Sequence, residues 1–426
     1  MSAAREIANL RSIPTNGNIL LDYTAGDALD GTGTCNIAAG LNALGAATSG
    51  DDNVAIGRLA LGAGVTTGND NIAIGATAGD ALTSGSNNIA IGDTALSAAT
   101  TSSHNVAIGY AALVASVDDG ENNVAIGRAA MGGGDVSGDS NVAIGYATMD
   151  ALTSGGDNVA VGRNALGAAT NNNNNVAVGY NALATTVNDG HDNVAIGHTA
   201  MGGAGVSGGT NIAIGKYAAD ALTSGACNIA MGLNALGAAT DNCDNIAIGQ
   251  SALAASVNDA DFNIAIGNTA MGGGDVSGCH NVAIGTNSAD ATTTGGHNVA
   301  IGRNAYGAAT IGIKNIAMGC GAMSGVTTGQ ADENIAIGSN ALAGGASTSG
   351  NQNIAIGVTA ADALTTGACN IALGINALGA STTGSDNIAL GCQAIGVGTT
   401  TGSQNVGIGK GAGEDLTSGL TNVMIG

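Results

Sequence analysis

Apolar and polar positions alternate within a five-residue unit, N-[IV]-x-x-G, that occurs twenty-three times in this chain of 426 residues. The run starts at Asn36 and Asn53, continues through Asn71, Asn88, Asn105 and Asn123, and ends at Asn422; a degenerate copy begins at Asn18. Successive Asn anchors are 17 or 18 residues apart, twice 19. Counting Asn as position 0, positions +1 and +3 are Ile or Val almost throughout, and +2 is Ala in all but Gly407 and Met424. Period-two patterning with β-branched residues, closed by Gly, predicts a short strand ending in a tight turn. The 74 glycines, one or more per repeat, speak against helix, where each costs about 1 kcal/mol relative to Ala.

Position +7 is usually Ala and +8 often Leu or Met, as in Ala43-Leu44, Ala95-Leu96 and Ala200-Met201. With +1 and +3 they give about four apolar residues per coil, followed by Thr-Ser-Gly or Asn-Asp-Gly turn chemistry. One such coil cannot offset the entropy of its own ordering, whereas a stack can, because each coil covers its neighbours. The expected fold is therefore all-β: a parallel β-solenoid of about 23–24 coils of 17–19 residues, a rod on the order of 110 Å at one strand spacing per coil. Residues 1–17 read as a cap or attachment segment and 18–426 as a continuous shaft. A 70-residue superperiod of four coils, visible from Asn71, Asn141, Asn211 and Asn281, looks like recent duplication.

Both faces of the strand are apolar, with Ile and Val on one side and Ala and Gly on the other. A strand apolar on both faces is buried on both, and a solenoid has one interior, so the other face calls for a neighbouring chain. Which side lines the interior is left open. The Asn column (Asn53, Asn71, Asn88, Asn105, Asn123, Asn141, Asn158, Asn175, Asn193, Asn211) has two physical readings. Its amides pass hydrogen bonds from coil to coil, or Asn occupies a left-handed backbone position that it tolerates well.

Composition narrows the function. The net charge of −22, with nine Lys and Arg, argues against nucleic-acid binding and anionic membranes. No apolar run reaches the roughly 20 residues of a membrane-spanning helix, and Met1–Pro14 lacks the apolar core of a signal peptide. Seven scattered Cys without a C-x-x-C motif read as free thiols. Acidic turns such as Asp118-Asp119-Gly120-Glu121, Asn188-Asp189-Gly190-His191-Asp192 and Asn258-Asp259-Ala260-Asp261 carry oxygen ligands of the kind calcium takes, although their spacing matches neither the EF-hand loop nor the glycine-rich nonapeptide of calcium β-rolls. Structural calcium is the one ligand to consider; no cofactor is called for. The five His fall in different coils, no catalytic constellation can be drawn, and with no Trp and one Phe the aromatic platforms of sugar-cleaving solenoids are missing, so an enzyme is not expected.

Position +5 breaks the monotony. It carries Arg58, Tyr110, Arg128, Tyr146, Arg163, Tyr180, His198, Lys216 and Arg303, and holds six of the nine basic residues and four of the six Tyr. The column reads either as a corner where any large side chain fits or as a recognition stripe, since Arg and Tyr are enriched at contact hot spots.

Asn105-Val106-Ala107-Ile108-Gly109-Tyr110-Ala111-Ala112-Leu113 and the matching segment Asn175–Leu183 resemble the N-[TV]-A-[IV]-G-x-x-A-L arrays of phage tail-fibre proteins. They are related in motif to the head repeats of trimeric autotransporter adhesins, whose coils are shorter. The resemblance spans residues 36–426. It implies a homotrimeric shaft of a viral attachment fibre, assembled in the host cytoplasm, with a baseplate or capsid protein and a host surface receptor as partners. The alternative it leaves is a bacterial cell-surface adhesin or a self-stacking extracellular filament. An ice-binding solenoid would want flat Thr columns, which the irregular Thr placement does not supply.

Overall fold

The computed structural model describes residues 16–116, 120–186, 190–325, 331–344, 349–396, 398 and 401–426. The proposed N-terminal segment 1–17 therefore lies outside the described residues except for its last two. The chain forms two compact units, Met1–Thr210 and Asn211–Gly426. Each is an all-β, parallel β-solenoid. The first holds eleven of the described strands, from Ile19–Leu20 to Val194–Ile196, and the second thirteen, from Ile212–Ile214 to Val423–Ile425.

Within each unit the strands pair parallel and in register, repeat on repeat. In the first unit Val54, Ala55 and Ile56 face Ile72, Ala73 and Ile74; in the second Ile229, Ala230 and Met231 face Ile246, Ala247 and Ile248. Each strand is three residues long, apart from the two-residue first one, because Gly at +4 turns the chain. Gly109, at φ 135°, shows why no other residue serves there: a Cβ would stand 2.5 Å from the carbonyl oxygen of Gly127, the equivalent Gly of the next coil. Positions −1, +6 and +8 are also left-handed, as in His104 (φ 62°), Ala111 (φ 54°) and Leu113 (φ 50°). Such a conformation costs an L-residue about 1–2 kcal/mol, and persists where the surroundings over-determine it. Here they do. Leu96 donates its N–H to Ala112 O at 2.9 Å, and Asp52 donates to Thr34 O at 3.0 Å, so turn backbones are hydrogen-bonded to the adjoining coils.

The interior is narrow, and this decides which face of the strand points in. Ala at +2 is fully buried in both units (Ala55, Ala107 and Ala247, all 0 % exposed), whereas Ile and Val at +1 and +3 point outward. The side that the sequence pattern left open is thereby decided: of the four apolar residues per coil, the +1 and +3 pair stays out of the core. The core is built instead from Ala at +2, Ala at +7, a residue at +8, and a column at +11 or +13 that the repeat pattern did not reveal. In several coils these last two trade size. Leu44, Leu96, Leu166 and Leu236 at +8 go with Ala47, Ala99, Ala169 and Ala239, while Gly79, Ala219 and Ala361 go with Leu82, Leu222 and Leu364. A limited volume per coil explains the exchange where it occurs; Met149 with Leu152 keeps both residues large and both buried. Tyr306 is the aromatic exception inside: it sits at +8, 1 % exposed, and accepts a hydrogen bond from Asn315 Nδ2 at 2.9 Å. Burial pushes its hydroxyl well above the usual tyrosine range.

The two departures from Ala at +2 obey the same volume rule between coils. A Cβ on Gly407 would meet Ile395 Cγ1 at 2.8 Å, and a Cβ on Gly413 would meet Met424 Sδ at 2.5 Å. Ile395 and Gly413 are the +8 residues of the preceding coils. The small residue yields to the large one each time.

Candidate interaction surface

The Asn anchors are interior and structural. All ten from Asn53 to Asn211 are at most 1 % exposed. Asn88 donates its backbone N–H and its Nδ2 to Asn71 Oδ1, and gives the second Nδ2 proton to Ser102 O at 2.9 Å. The backbone N–H bond to the preceding Oδ1 recurs along the first unit at Asn71, Asn105, Asn123, Asn141, Asn158, Asn175 and Asn193, at 2.9–3.1 Å. In the second unit Asn228 donates to Asn211 Oδ1 at 2.9 Å. None of these Asn is left-handed; the left-handed residue is the one before each anchor, such as Asp70 or His104. Of the two readings of this column, the hydrogen-bond ladder is the one that applies.

A second ladder, unseen in the sequence, occupies position −2. The side chain there accepts the backbone N–H of the −2 residue one coil earlier. Thr34 donates to Asp51 Oδ1 (2.7 Å), Asp51 to Asn69 Oδ1 (2.8 Å), and Asn69 to Ser86 Oγ (3.0 Å). Glu121 donates to Asp139 Oδ1 (2.8 Å), Cys243 to Asp261 Oδ1 (2.7 Å), and Ile313 to Asp332 Oδ1 (2.9 Å). The signal was present as a column of Asp, Asn and Ser, but acids in turns suggest cations first. Asp118, Asp119, Asn188 and Asp189 lie outside the described residues. Among the described residues no group of three or more His, Cys, Asp or Glu is placed to hold a metal ion.

Outward-facing side chains alternate with the buried Asn anchors and the buried Ala at +2. Position −1 is mostly polar, +1 and +3 are the Ile and Val columns, and +5 is the variable column. Several of the Ile and Val are more than a third exposed, among them Ile56 (41 %) and Ile196 (38 %) in the first unit and Ile337 (37 %) in the second. One face of each sheet is thus an apolar strip two columns wide, partly open to solvent.

The +5 residues named from the sequence all stand exposed at the margin of this strip. Six successive ones interlock. Arg128 Cζ lies 5.6 Å from the Tyr110 ring centroid and 5.7 Å from that of Tyr146; Arg163 Cζ lies 5.6 Å from Tyr146 and 5.7 Å from Tyr180. The Tyr180 and His198 rings follow at 5.0 Å. Arg128, Tyr146 and Arg163 line an open groove of about 440 Å³. Arg58 is not in this array, and in the second unit the column loses its alternation: Lys216 lies over the adjacent Tyr217 ring and Arg303 Nη2 contacts Cys320 Sγ at 3.2 Å. At −1 of the second unit, Phe262, His280 and His297 stack at 5.0 and 4.9 Å, and Lys314 pairs with Glu333 at 3.4 Å. Four of the seven free Cys (Cys35, Cys227, Cys320, Cys369) are exposed.

The sequence matches no known protein family, and no characterised protein matches it either.

Proposed function

We propose that this chain is a structural element, the shaft of a viral (phage) attachment fibre, that it assembles as a homotrimer, and that it carries host-surface contact rather than catalysis. One observation supports this reading above the others: an apolar Ile and Val strip on the outer face of the parallel sheet in each unit. Parallel sheets are covered on both faces, and exposed apolar strips of this kind mark association sites. Self-association around an axis covers the strip on every copy at once, as closed symmetric assembly requires. The resemblance of the N-V-A-I-G-Y-x-A-L segments to tail-fibre arrays supplies the biological setting.

Light scattering on the purified chain tests the assembly. A mass about three times the 40.2 kDa of one chain is expected, and a mass near 40.2 kDa sinks the trimer. Replacing outward Ile91 and Ile108 by Lys should release single chains that keep their β signature. Gold-labelled antibody in negative stain tests the setting: label on particle-borne fibres supports it, and label confined to free filaments turns the reading toward a self-stacking extracellular protein.

A further inference from the structure

We infer that the Tyr110–Arg128–Tyr146–Arg163–Tyr180–His198 stripe is a binding site for an acidic polysaccharide. The chain carries 31 acidic residues against nine basic ones, yet among the described residues neither Arg128 nor Arg163 forms an ion pair. Each guanidinium instead lies between two tyrosine rings. That stacking engages the ring faces and leaves the N–H and O–H edges of the Arg and Tyr to solvent, so an exposed row of donors results: phenol, guanidinium, phenol, guanidinium, phenol; His198 closes the row with its Nδ1 3.0 Å from Thr199 Oγ1.

The row is held in place before any ligand arrives. Ala129 N–H donates to Tyr110 O (2.9 Å), Ala147 to Arg128 O (3.0 Å), Asn164 to Tyr146 O (2.9 Å), Asn181 to Arg163 O (3.1 Å) and Thr199 to Tyr180 O (2.8 Å). These bonds hold the main chain of each rung and the ring–guanidinium contacts restrain the side chains, so less freedom is lost on binding. Coils spaced as paired strands put Arg128 and Arg163 roughly 9.5 Å apart, two rungs along the stripe. That matches a polymer with one carboxylate per disaccharide in an extended chain. Carboxylates suit the guanidinium fork and sugar hydroxyls suit the phenols. A single-stranded nucleic acid also uses Arg and aromatics, but it needs open ring faces for base stacking, and both faces of Tyr146 are taken. Its denser charge also suits an acidic surface less well.

This inference names the ligand class for the attachment reading and rests on that reading for its setting. Its measurement is independent, since binding is read on the purified chain whatever its mass or its place on a particle. Oligosaccharides of hyaluronate and of unsulfated chondroitin, each with one carboxylate per disaccharide, neutral dextran and oligothymidylate are titrated by calorimetry. Binding to at least one of the two acidic polysaccharides and not to dextran is expected. Arg128→Gln and Arg163→Gln should each weaken it about tenfold or more, as loss of a charge-assisted bond implies. Arg128→Lys should also weaken it, because it keeps the charge but loses the fork. Lys314→Gln, the same charge change on the second unit, should leave it intact, with circular dichroism confirming that every variant is folded. No binding to either acidic polysaccharide, equal binding to dextran, tighter binding to oligothymidylate, or indifference to both Arg substitutions overturns the proposal.

Discussion

Asn88 places two donors, its backbone N–H and its Nδ2, on the single Oδ1 of Asn71, both at 3.0 Å. The buried Asn71 amide takes two bonds from the coil after it, and its Nδ2 donates to Asn53 Oδ1 of the coil before at 3.1 Å and to the turn carbonyl of Gly85 at 2.9 Å, so it satisfies groups on both sides at once. Replacing Asn71 and Asn88 together by Ala leaves several buried backbone groups unpaired, each costing about 1–3 kcal/mol. Thermal melting should fall sharply while the far-UV β signature of the remaining structure persists. An unchanged melting temperature would show that the ladder contributes nothing.

The second ladder makes a milder prediction. Asp139→Asn keeps an acceptor for the Glu121 N–H, while Asp139→Ala removes it. The Ala variant should be less stable than the Asn variant by roughly 1 kcal/mol in urea unfolding. Equal stabilities would mean that water replaces the carboxylate at no cost.

Gly109 separates two causes of strain. Gly109→Ala combines a left-handed backbone with a Cβ 2.5 Å from Gly127 O, whereas Gly31→Ala, at φ 93°, meets nothing within 4 Å. The first should prevent the local coil from closing, and with it the Tyr110 rung. The second should cost only about 1–3 kcal/mol of backbone strain. Similar losses in the two variants would mean that the close approach between coils is not what demands glycine.

Coupling between coils is testable at Ile395 and Gly407. Gly407→Ala alone should destabilise, because the added Cβ would stand 2.8 Å from Ile395 Cγ1. In an Ile395→Ala background the same change should cost much less, giving a coupling of about 0.5–3 kcal/mol in a double-mutant cycle. Additive effects would refute the shared-volume account of the core.

Acid should help this protein before it harms it. Asp80, Asp220, Asp290 and Asp362 share position +9, and burial raises each above the ordinary value of 3.8. The folded chain therefore takes up these protons at higher pH than the unfolded chain does. The stability lost by burying charge at neutral pH is recovered as pH falls through the raised values, and the gain is complete below the unfolded value. Asp220→Asn with Asp290→Asn should raise the melting temperature at pH 7 and do so less at pH 3.5. A larger gain at the lower pH would reverse the sign of this argument.

The sequence by itself determined the period, the strand, its closing glycine and hence a parallel solenoid. Each coil repeats the same local instruction, and a 17-residue unit has few ways to bury its apolar side other than against a copy of itself. It also marked the +5 column as unusual. Tertiary structure decided which face of the strand lines the coil. Period two places Ala55 opposite Val54 and Ile56 but does not say which is inside; the narrow lumen, already filled from the far wall by residues such as Leu61, admits only the small one. It decided that His104 rather than Asn105 takes the left-handed backbone, because Asn105 must turn its amide inward to the ladder. And it decided that Tyr110 to His198 interlock while Arg58 and Arg303 join no such array, since contact along a column depends on what the adjacent rungs carry, and in those six coils aromatic and basic groups follow one another at the spacing of one strand.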